Sequence, residues 1–363
     1  MSRPTCVVVL AAGEGSRMRS TRPKPLHQLC GRAMVRYVLD AAVQENLRAT
    51  IVVVGRHGTW VEKELSESSR PGRAITFVEQ RAQLGTGHAV SVALSAIDDA
   101  IGDTDGDVVI VPADTPLLRR SSVTALLERH RERQAALTVL SARVSDPTGY
   151  GRLIHAKDGT LERIVEEHDA TDNERLFDEI NTSIMVMRQS LLGPALRRID
   201  RHNAQHEYYL TDLVAVLHEM GHLTTSTMLD DPDEASGIND RRQLAHAERV
   251  LRGRINDEWM ARGVTMWNPE ATYVDADVDL SPEVSLLPGT MLKGRCIVSR
   301  GAQIGPNAVL DDVEVGENAV VGSIEASHVR IGADARVSSF VVLSPGSDVA
   351  AGEIVTPLTQ RPH

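Results

Sequence analysis

From Val274 the chain repeats every six residues. Val274, Leu280, Leu286, Leu292, Val298, Ile304 and Leu310 follow one another without a miss, and the positions four residues after the first six are Val278, Val284, Thr290, Cys296, Ala302 and Ala308. A period of six fits neither a helix nor an ordinary strand. It fits a triangular coil whose three flat sides each turn one aliphatic residue inward, a parallel β-helix of hexapeptide repeats. The register slips by one at Val315 and Val321, is expected to break around residues 323–329, and resumes at Ile331, Val337, Leu343 and Val349. With three hexads to a turn, roughly four coils are predicted. These aliphatic residues are read as core, and the flat sides of such prisms are expected to pair in a homotrimer.

The first two-thirds of the chain has a different rhythm. β-Branched runs at Cys6 to Leu10, Ile51 to Val54 and Val108 to Val111 alternate with amphipathic stretches at Met34 to Glu45 and His88 to Ile97. That alternation predicts an α/β unit, a parallel sheet covered by helices, with ligands beyond the carboxyl ends of the strands. A charged, Ala- and Leu-containing helix from Arg241 to Arg262 reads as an arm between this unit and the coil.

The net charge of -11 over 363 residues, with no basic tail, argues against a nucleic-acid or membrane surface as the main partner. Cys6, Cys30 and Cys296 lack metal spacing and read as buried reduced thiols. No signal-peptide layout and no apolar run of membrane-spanning length is present, so a soluble, cytoplasmic protein is expected.

Against that acidic surplus, the stretch LAAGEGSRMRSTRPKPL from Leu10 to Leu26 is notable for its local positive charge. A strand ending in Ala11, Ala12 and Gly13 leads into a turn where Gly13 and Gly15 let backbone amides approach a ligand. Arg17 and Lys24 add a forked guanidinium and a mobile ammonium, a mixture suited to a triphosphate. Alone, such a turn is equally a generic tight turn. Its spacing is that of neither a P-loop nor a three-glycine dinucleotide fingerprint.

L-A-A-G-x-G-[ST]-R-M followed by P-K-x-L resembles the signature of sugar-phosphate nucleotidylyltransferases. The resemblance continues in order through QRAQLGTGHAV, ADTPLL, GYGRLI, IVEEHDAT, EINTSIMV, NAQHEYYLTDLV and SGINDRRQL, up to the hexapeptide coils. The chain thus resembles the bacterial bifunctional N-acetylglucosamine-1-phosphate uridylyltransferase and glucosamine-1-phosphate acetyltransferase family. That likeness implies a Rossmann-like (GT-A-like) nucleotidyltransferase domain over residues 1–237, a linker helix over 238–262, and a truncated left-handed parallel β-helix over 263–363. It implies transfer of UMP from UTP to a sugar 1-phosphate, chiefly N-acetylglucosamine 1-phosphate. Leu10, Ala11, Ala12, Gly13, Arg17 and Lys24 would surround the triphosphate, with Arg17 and Lys24 catalytic. Gln80 and Gln83, beside Gly85 and Thr86, would read uracil, an amide offering both a donor and an acceptor. Asp114 and Asn239 would hold Mg2+ through hard oxygen ligands. Asp114 taken by itself could also be a helix cap. Gly151, Glu166, Asn181 and Thr182 would meet the sugar and ribose hydroxyls, with Tyr209 to Thr211 lining the same cleft. A sugar 1-phosphate, with a second pKa of about 6, needs no general base, so the thirteen histidines need no catalytic role and His88 reads as structural.

Three departures from the family pattern are visible. Ala113 stands where a glycine often precedes the metal aspartate, Ser183 replaces the glycine of INTG, and Ser344 replaces the arginine of LRPG that serves acetyl transfer. The first two fall on the acceptor side. The third, with the absence of the family's later coils, implies no acetyltransferase activity. Two other readings stay open: the same chemistry on a different sugar or polyol phosphate, and a catalytically silent nucleotide-sugar-binding trimer.

Overall fold

The computed structural model describes residues 3–44, 46–67, 75–102, 104–357 and 360–361. Glu45 and His363, each the end of an expected element, lie outside them. Contacts divide the chain into two compact units. One takes the residues up to His27 together with Ala33–Gln243, and the other takes Gln28–Arg32 with the residues from Leu244 onward.

The first unit is built on one nine-stranded sheet. Its first strand, Thr5–Ala11, lies between Leu47–Val54 and Asp107–Pro112 and is parallel to both. Burial on two faces explains the unbroken TCVVVLA run. Cys6 and Val8 join the apolar cluster that includes Ala89, Val90 and Ala93 of the helix Thr86–Ile101. Val7 and Val9 join the opposite cluster, with Val35 and Val38 of the helix Met34–Ala42. The expected elements are all present, each within a few residues of its predicted bounds.

The sheet differs from expectation in one respect: it is mixed. Strand Glu179–Arg188 runs antiparallel to Asp107–Pro112 on one side and to Leu137–Arg143 on the other. The chain reaches it after the antiparallel pair Arg152–His155 and Leu161–Val165, and so enters from the opposite end. A buried apolar run carries no signal of its direction. This reversal matters for the site, because it brings the amino-terminal part of Glu179–Arg188 to the edge where the parallel strands end.

The second unit contains three parallel sheets of six, six and five short strands, a β-helix of the left-handed, hexapeptide-repeat class. Each strand pairs with the third strand after it, as in Tyr273–Val274 with Met291–Lys293 and then Val309–Asp311. Every repeat aliphatic from Val274 to Leu310 is buried, as are the six small or β-branched residues at the second positions. The helix Arg241–Ala261 contributes Ile255, Trp259 and Met260 to the edge of this core.

Two predictions about the coil are corrected. It is not interrupted at residues 323–329: strand Glu325–Ser327 pairs with Val309–Asp311 and Val342–Leu343, with Ala326 as the inward residue. Two successive steps of five residues, Val321 to Ala326 to Ile331, hide the repeat from a search at period six. There are also more turns than the roughly four predicted, since strands at Thr265–Met266, Ile354–Val355 and Gln360–Arg361 extend the coil at both ends. Leu310 is fully buried in the middle of this stack. Leu310→Ala should therefore destabilise the second unit by about 2–5 kcal/mol, the range for truncating a buried leucine. Denaturant unfolding of the purified variant measures this, and a loss under 1 kcal/mol would contradict the packing described.

Candidate active site

The site begins where the parallel strands stop. Ala113 N–H donates to the Leu10 carbonyl at 3.0 Å, holding the ends of the first strand and of Asp107–Pro112 level. The Gly13 turn and Asp114 therefore emerge side by side. Gly15 has φ +63°, and a Cβ there would lie 2.7 Å from Lys24 Cβ. Its lack of a side chain lets the lysine stem pass. Gly13 is different, because a Cβ on it would meet nothing within 4 Å and would project into open space.

All the predicted site residues but one line a single cavity of about 570 Å³ in the first unit. The exception is Arg17. It sits exposed on the 3-10 turn Ser16–Met18 and does not line the cavity. Its charge acts instead on Asp240, whose carboxyl is held below its ordinary value first by the Gln243 backbone N–H, then by that of Arg242, and less by the charges of Arg242 and Arg17.

Lys24 is the hub. Its ammonium makes a short ion pair with Asp114 Oδ2 and donates to Asn239 Oδ1 at 2.8 Å. One carboxylate oxygen and one carboxamide oxygen thus converge on a single cation, and both are hard ligands of the kind magnesium takes. The donor set fits such an ion. Ile238 N–H donates to the Asp114 carbonyl at 2.9 Å, so backbone as well as side chains join these segments. The expected alternative for Asp114, a helix cap, is not realised: the next helix begins at Arg120. Tyr150 stands over this corner, its phenol pushed above its ordinary value first by burial and then by the Asp114 charge.

On the wall that carries Gln80 and Gln83, both glutamines use their amide nitrogens within the protein. Gln83 Nε2 donates to the Ala12 carbonyl at 2.9 Å. Gln80 Nε2 lies 3.1 Å from the Gly85 carbonyl and 3.0 Å from His88 Nδ1. Gln80 retains its Oε1 for a ligand, and Gln83 retains its Oε1 and one amide N–H. His88 is not among the residues that line the cavity. Gly85 takes φ +104°, where a Cβ would press on the Tyr208 carbonyl at 2.6 Å.

On the opposite wall, Glu166 Oε1 accepts from the Thr211 hydroxyl at 2.9 Å, and burial raises its pKa. Asn181 is buried, and its Oδ1 accepts from Ser183 N–H at 3.0 Å, which leaves its Nδ2 as the free donor. Thr182 lines the cavity, but its hydroxyl donates to the Leu140 carbonyl at 2.7 Å and so serves the sheet.

Sequence reasoning missed the supports of this wall. Arg152, 2% exposed, pairs with Glu167 at 2.9 Å and with the Tyr150 carbonyl, while Glu167 also accepts from Gly149 N–H at 3.2 Å. Together they hold the loop Gly149–Gly151 in place. The motifs GYGRLI and IVEEHDAT contain both residues, but nothing in either motif pairs them. Gln205 and Glu207 also line the cavity. Segment 203–211 spans the two walls: Tyr208 N–H donates to the Leu84 carbonyl, Gly87 N–H to the Tyr208 carbonyl, and Tyr209 reaches Asp169.

The MobA-like NTP transferase domain family matches residues 7–184. The bifunctional protein GlmU of Thermobifida fusca (strain YX) is 44% identical over 331 residues, 91% of this chain and 68% of that protein. That of Streptomyces avermitilis is 40% identical over 96% of this chain and 71% of its own length, and that of Halalkalibacterium halodurans 36% over 96% and 75%. The chain belongs to the GlmU family. It is a nucleotidyltransferase, a UTP:sugar-1-phosphate uridylyltransferase. Among the described residues, no helix is long and apolar enough to cross a membrane.

Next to Thr211, on the wall that carries Glu166, Asp212 opens the helix Asp212–Glu219 of this GlmU-family chain. Burial, then the charges of Glu166, Asp200 and Asp169, raise its pKa to about 6. An acid whose pKa is higher folded than unfolded weakens the fold once ionised. The penalty is absent below about pH 4, the unfolded value, and complete above about pH 6. Asp212→Asn should accordingly raise the melting temperature of the first unit at pH 7.5 and leave it nearly unchanged at pH 4. Calorimetry at the two pH values tests this, and an equal shift at both would refute it.

Proposed function

We propose that the cavity transfers UMP from UTP to N-acetylglucosamine 1-phosphate, giving UDP-N-acetylglucosamine and pyrophosphate with Mg2+ as cofactor. The observation that carries this reading is the convergence of Lys24, Asp114 and Asn239 beside the Gly13 turn. Asp114 and Asn239 would hold the ion, which when bound supplies positive charge against the phosphates. The turn from Leu10 to Gly13 presents backbone amides to the triphosphate, and Lys24 supplies a mobile charge there. Arg17, outside the cavity wall, acts at longer range on the departing pyrophosphate. The Oε1 of Gln83 suits the N3–H of uracil, where cytosine carries a lone pair, and its remaining N–H suits the neighbouring O4 carbonyl, where cytosine carries an amine. Glu166 and the Nδ2 of Asn181 receive sugar hydroxyls, with Gly151 leaving room for the ring.

The reaction is a displacement at the α-phosphorus. A phosphate oxygen of the sugar 1-phosphate forms the new bond as the bond to pyrophosphate breaks, with no proton to remove from the nucleophile. The obstacle is the approach of two polyanions. Fixed cations and amides that stabilise the in-line geometry lower it, so positioning and electrostatics do the catalysis.

Ser344 offers a hydroxyl where the family's acetyl-transfer site has a guanidinium, which supports a uridylyltransferase without acetyl transfer. The exposed aliphatic residues Ile297, Val342 and Ile354 on the three sheets of the coil support lateral packing as a homotrimer. The free thiols Cys6 and Cys296, raised by burial to about 12 and about 11, suit a reducing, cytoplasmic setting.

Pyrophosphate release from UTP, measured with magnesium across a panel of sugar 1-phosphates, tests the proposal. Turnover should be greatest with N-acetylglucosamine 1-phosphate and should stop with EDTA. Silence with every acceptor would leave the binding-trimer reading in its place. Asp114→Ala should reduce kcat at least a thousandfold, about 4 kcal/mol, with an unchanged circular dichroism spectrum, and near-normal turnover would remove the metal assignment. Gln83→Ala should raise the KM for UTP about tenfold and narrow the preference for UTP over CTP. Unchanged nucleotide selectivity would show that uracil is read elsewhere.

A further inference from the structure

The register of strand Glu179–Arg188 against Leu137–Arg143 breaks between Asn181 and Met185, beside the cavity. Such irregularities re-aim side chains next to active sites. Here the Thr182 hydroxyl donates to the Leu140 carbonyl and accepts from Ile184 N–H, replacing ladder bonds that the detour removes. The detour turns Ser183 out of the sheet. It is exposed, lines the cavity, and has φ +63°.

Among the described residues that line this cavity, Ser183 is the one non-glycine residue in the left-handed region. Glycine would adopt that conformation without steric penalty. Glycine would also supply the only interaction that the backbone of Ser183 makes with the site, its N–H to Asn181 Oδ1. The serine side chain must therefore be explained by something else. Its hydroxyl has no hydrogen-bond partner among the described residues, and Ser183 lines the cavity together with Asn181, to which its backbone is bonded. Strain held at an unpartnered polar side chain within a ligand cavity is the kind of outlier that marks a functional contact.

On the reading of the cavity given above, we propose that Ser183 is a specificity-determining residue for the acceptor. Its hydroxyl hydrogen-bonds an oxygen-bearing substituent of the sugar 1-phosphate ring, alongside the donor that Asn181 presents. A hydroxyl serves as donor and acceptor together. It can therefore pair with either a ring hydroxyl or an amide carbonyl, while an acceptor lacking that group forgoes this bond and leaves the Nδ2 of buried Asn181 without it.

Two variants separate the hydroxyl from the strain. Ser183→Ala keeps the left-handed residue and removes the hydroxyl, whereas Ser183→Gly removes both. Steady-state kinetics of the full chain with UTP, against N-acetylglucosamine, glucose and galactose 1-phosphates, gives KM for each partner. In both variants the KM for the preferred acceptor should rise roughly 3- to 10-fold, the yield of one hydrogen bond, with the KM for UTP unchanged and the acceptor preference narrowed. Only Ser183→Gly should raise the melting temperature, by about 2–4 °C for a unit of this size. Wild-type turnover with unmoved acceptor KM and ranking in both variants would overturn this inference alone. No wild-type turnover on any acceptor would overturn the uridylyl reading and this one with it.

Discussion

Two oxygens that share a single ammonium hold the site together. Lys24, Asp114 and Asn239 come from the 3-10 turn Lys24–Leu26, the end of the strand Asp107–Pro112, and the loop before the long helix. Each needs the others. A partly buried carboxylate without a cation is costly, and a lysine without its oxygens has no reason to stay folded over the turn. Gly15 follows from the same constraint, since its missing side chain is what allows the lysine to approach. The level ends of the parallel strands follow too, because only they bring the turn and Asp114 to the same edge.

Around this hub the cavity walls are prepared by hydrogen bonds made inside the protein. Gln83 and Gln80 tie their amide nitrogens to the Ala12 and Gly85 carbonyls and keep their oxygens unpaired. Asn181 is fixed in the opposite sense, its oxygen used and its nitrogen available. Segment 203–211 touches both walls, through Tyr208 to the loop at 84–87 and through Thr211 to Glu166.

The coil shows how a repeat tolerates irregularity. Its core needs an inward aliphatic on each flat side, and the length of the corner between sides is secondary. Despite five-residue steps to Val315, Ala326 and Ile331, the strands stay in their stacks, with Ala326 as the small inward residue. The helix Arg241–Ala261 lays Ile255, Trp259 and Met260 against the same core. It is more than the connecting arm expected from its charged sequence.

Much of this was legible in the residues. A strict period of six forces a prism, because only one position per side can face inward, and doubly buried β-branched runs force a covered sheet. The ordered motifs named the site residues well enough that all but Arg17 line one cavity. What the sequence could not decide was direction and pairing. The reversed strand Glu179–Arg188, the partnership of Arg152 with Glu167, the tied amides of the two glutamines and the outward turn of Ser183 all depend on atoms brought together from distant positions. Local pattern reports which residues are buried and with what period. Only the closed fold determines which donor faces which acceptor, since hydrogen-bond geometry is short-ranged and is fixed last, by packing.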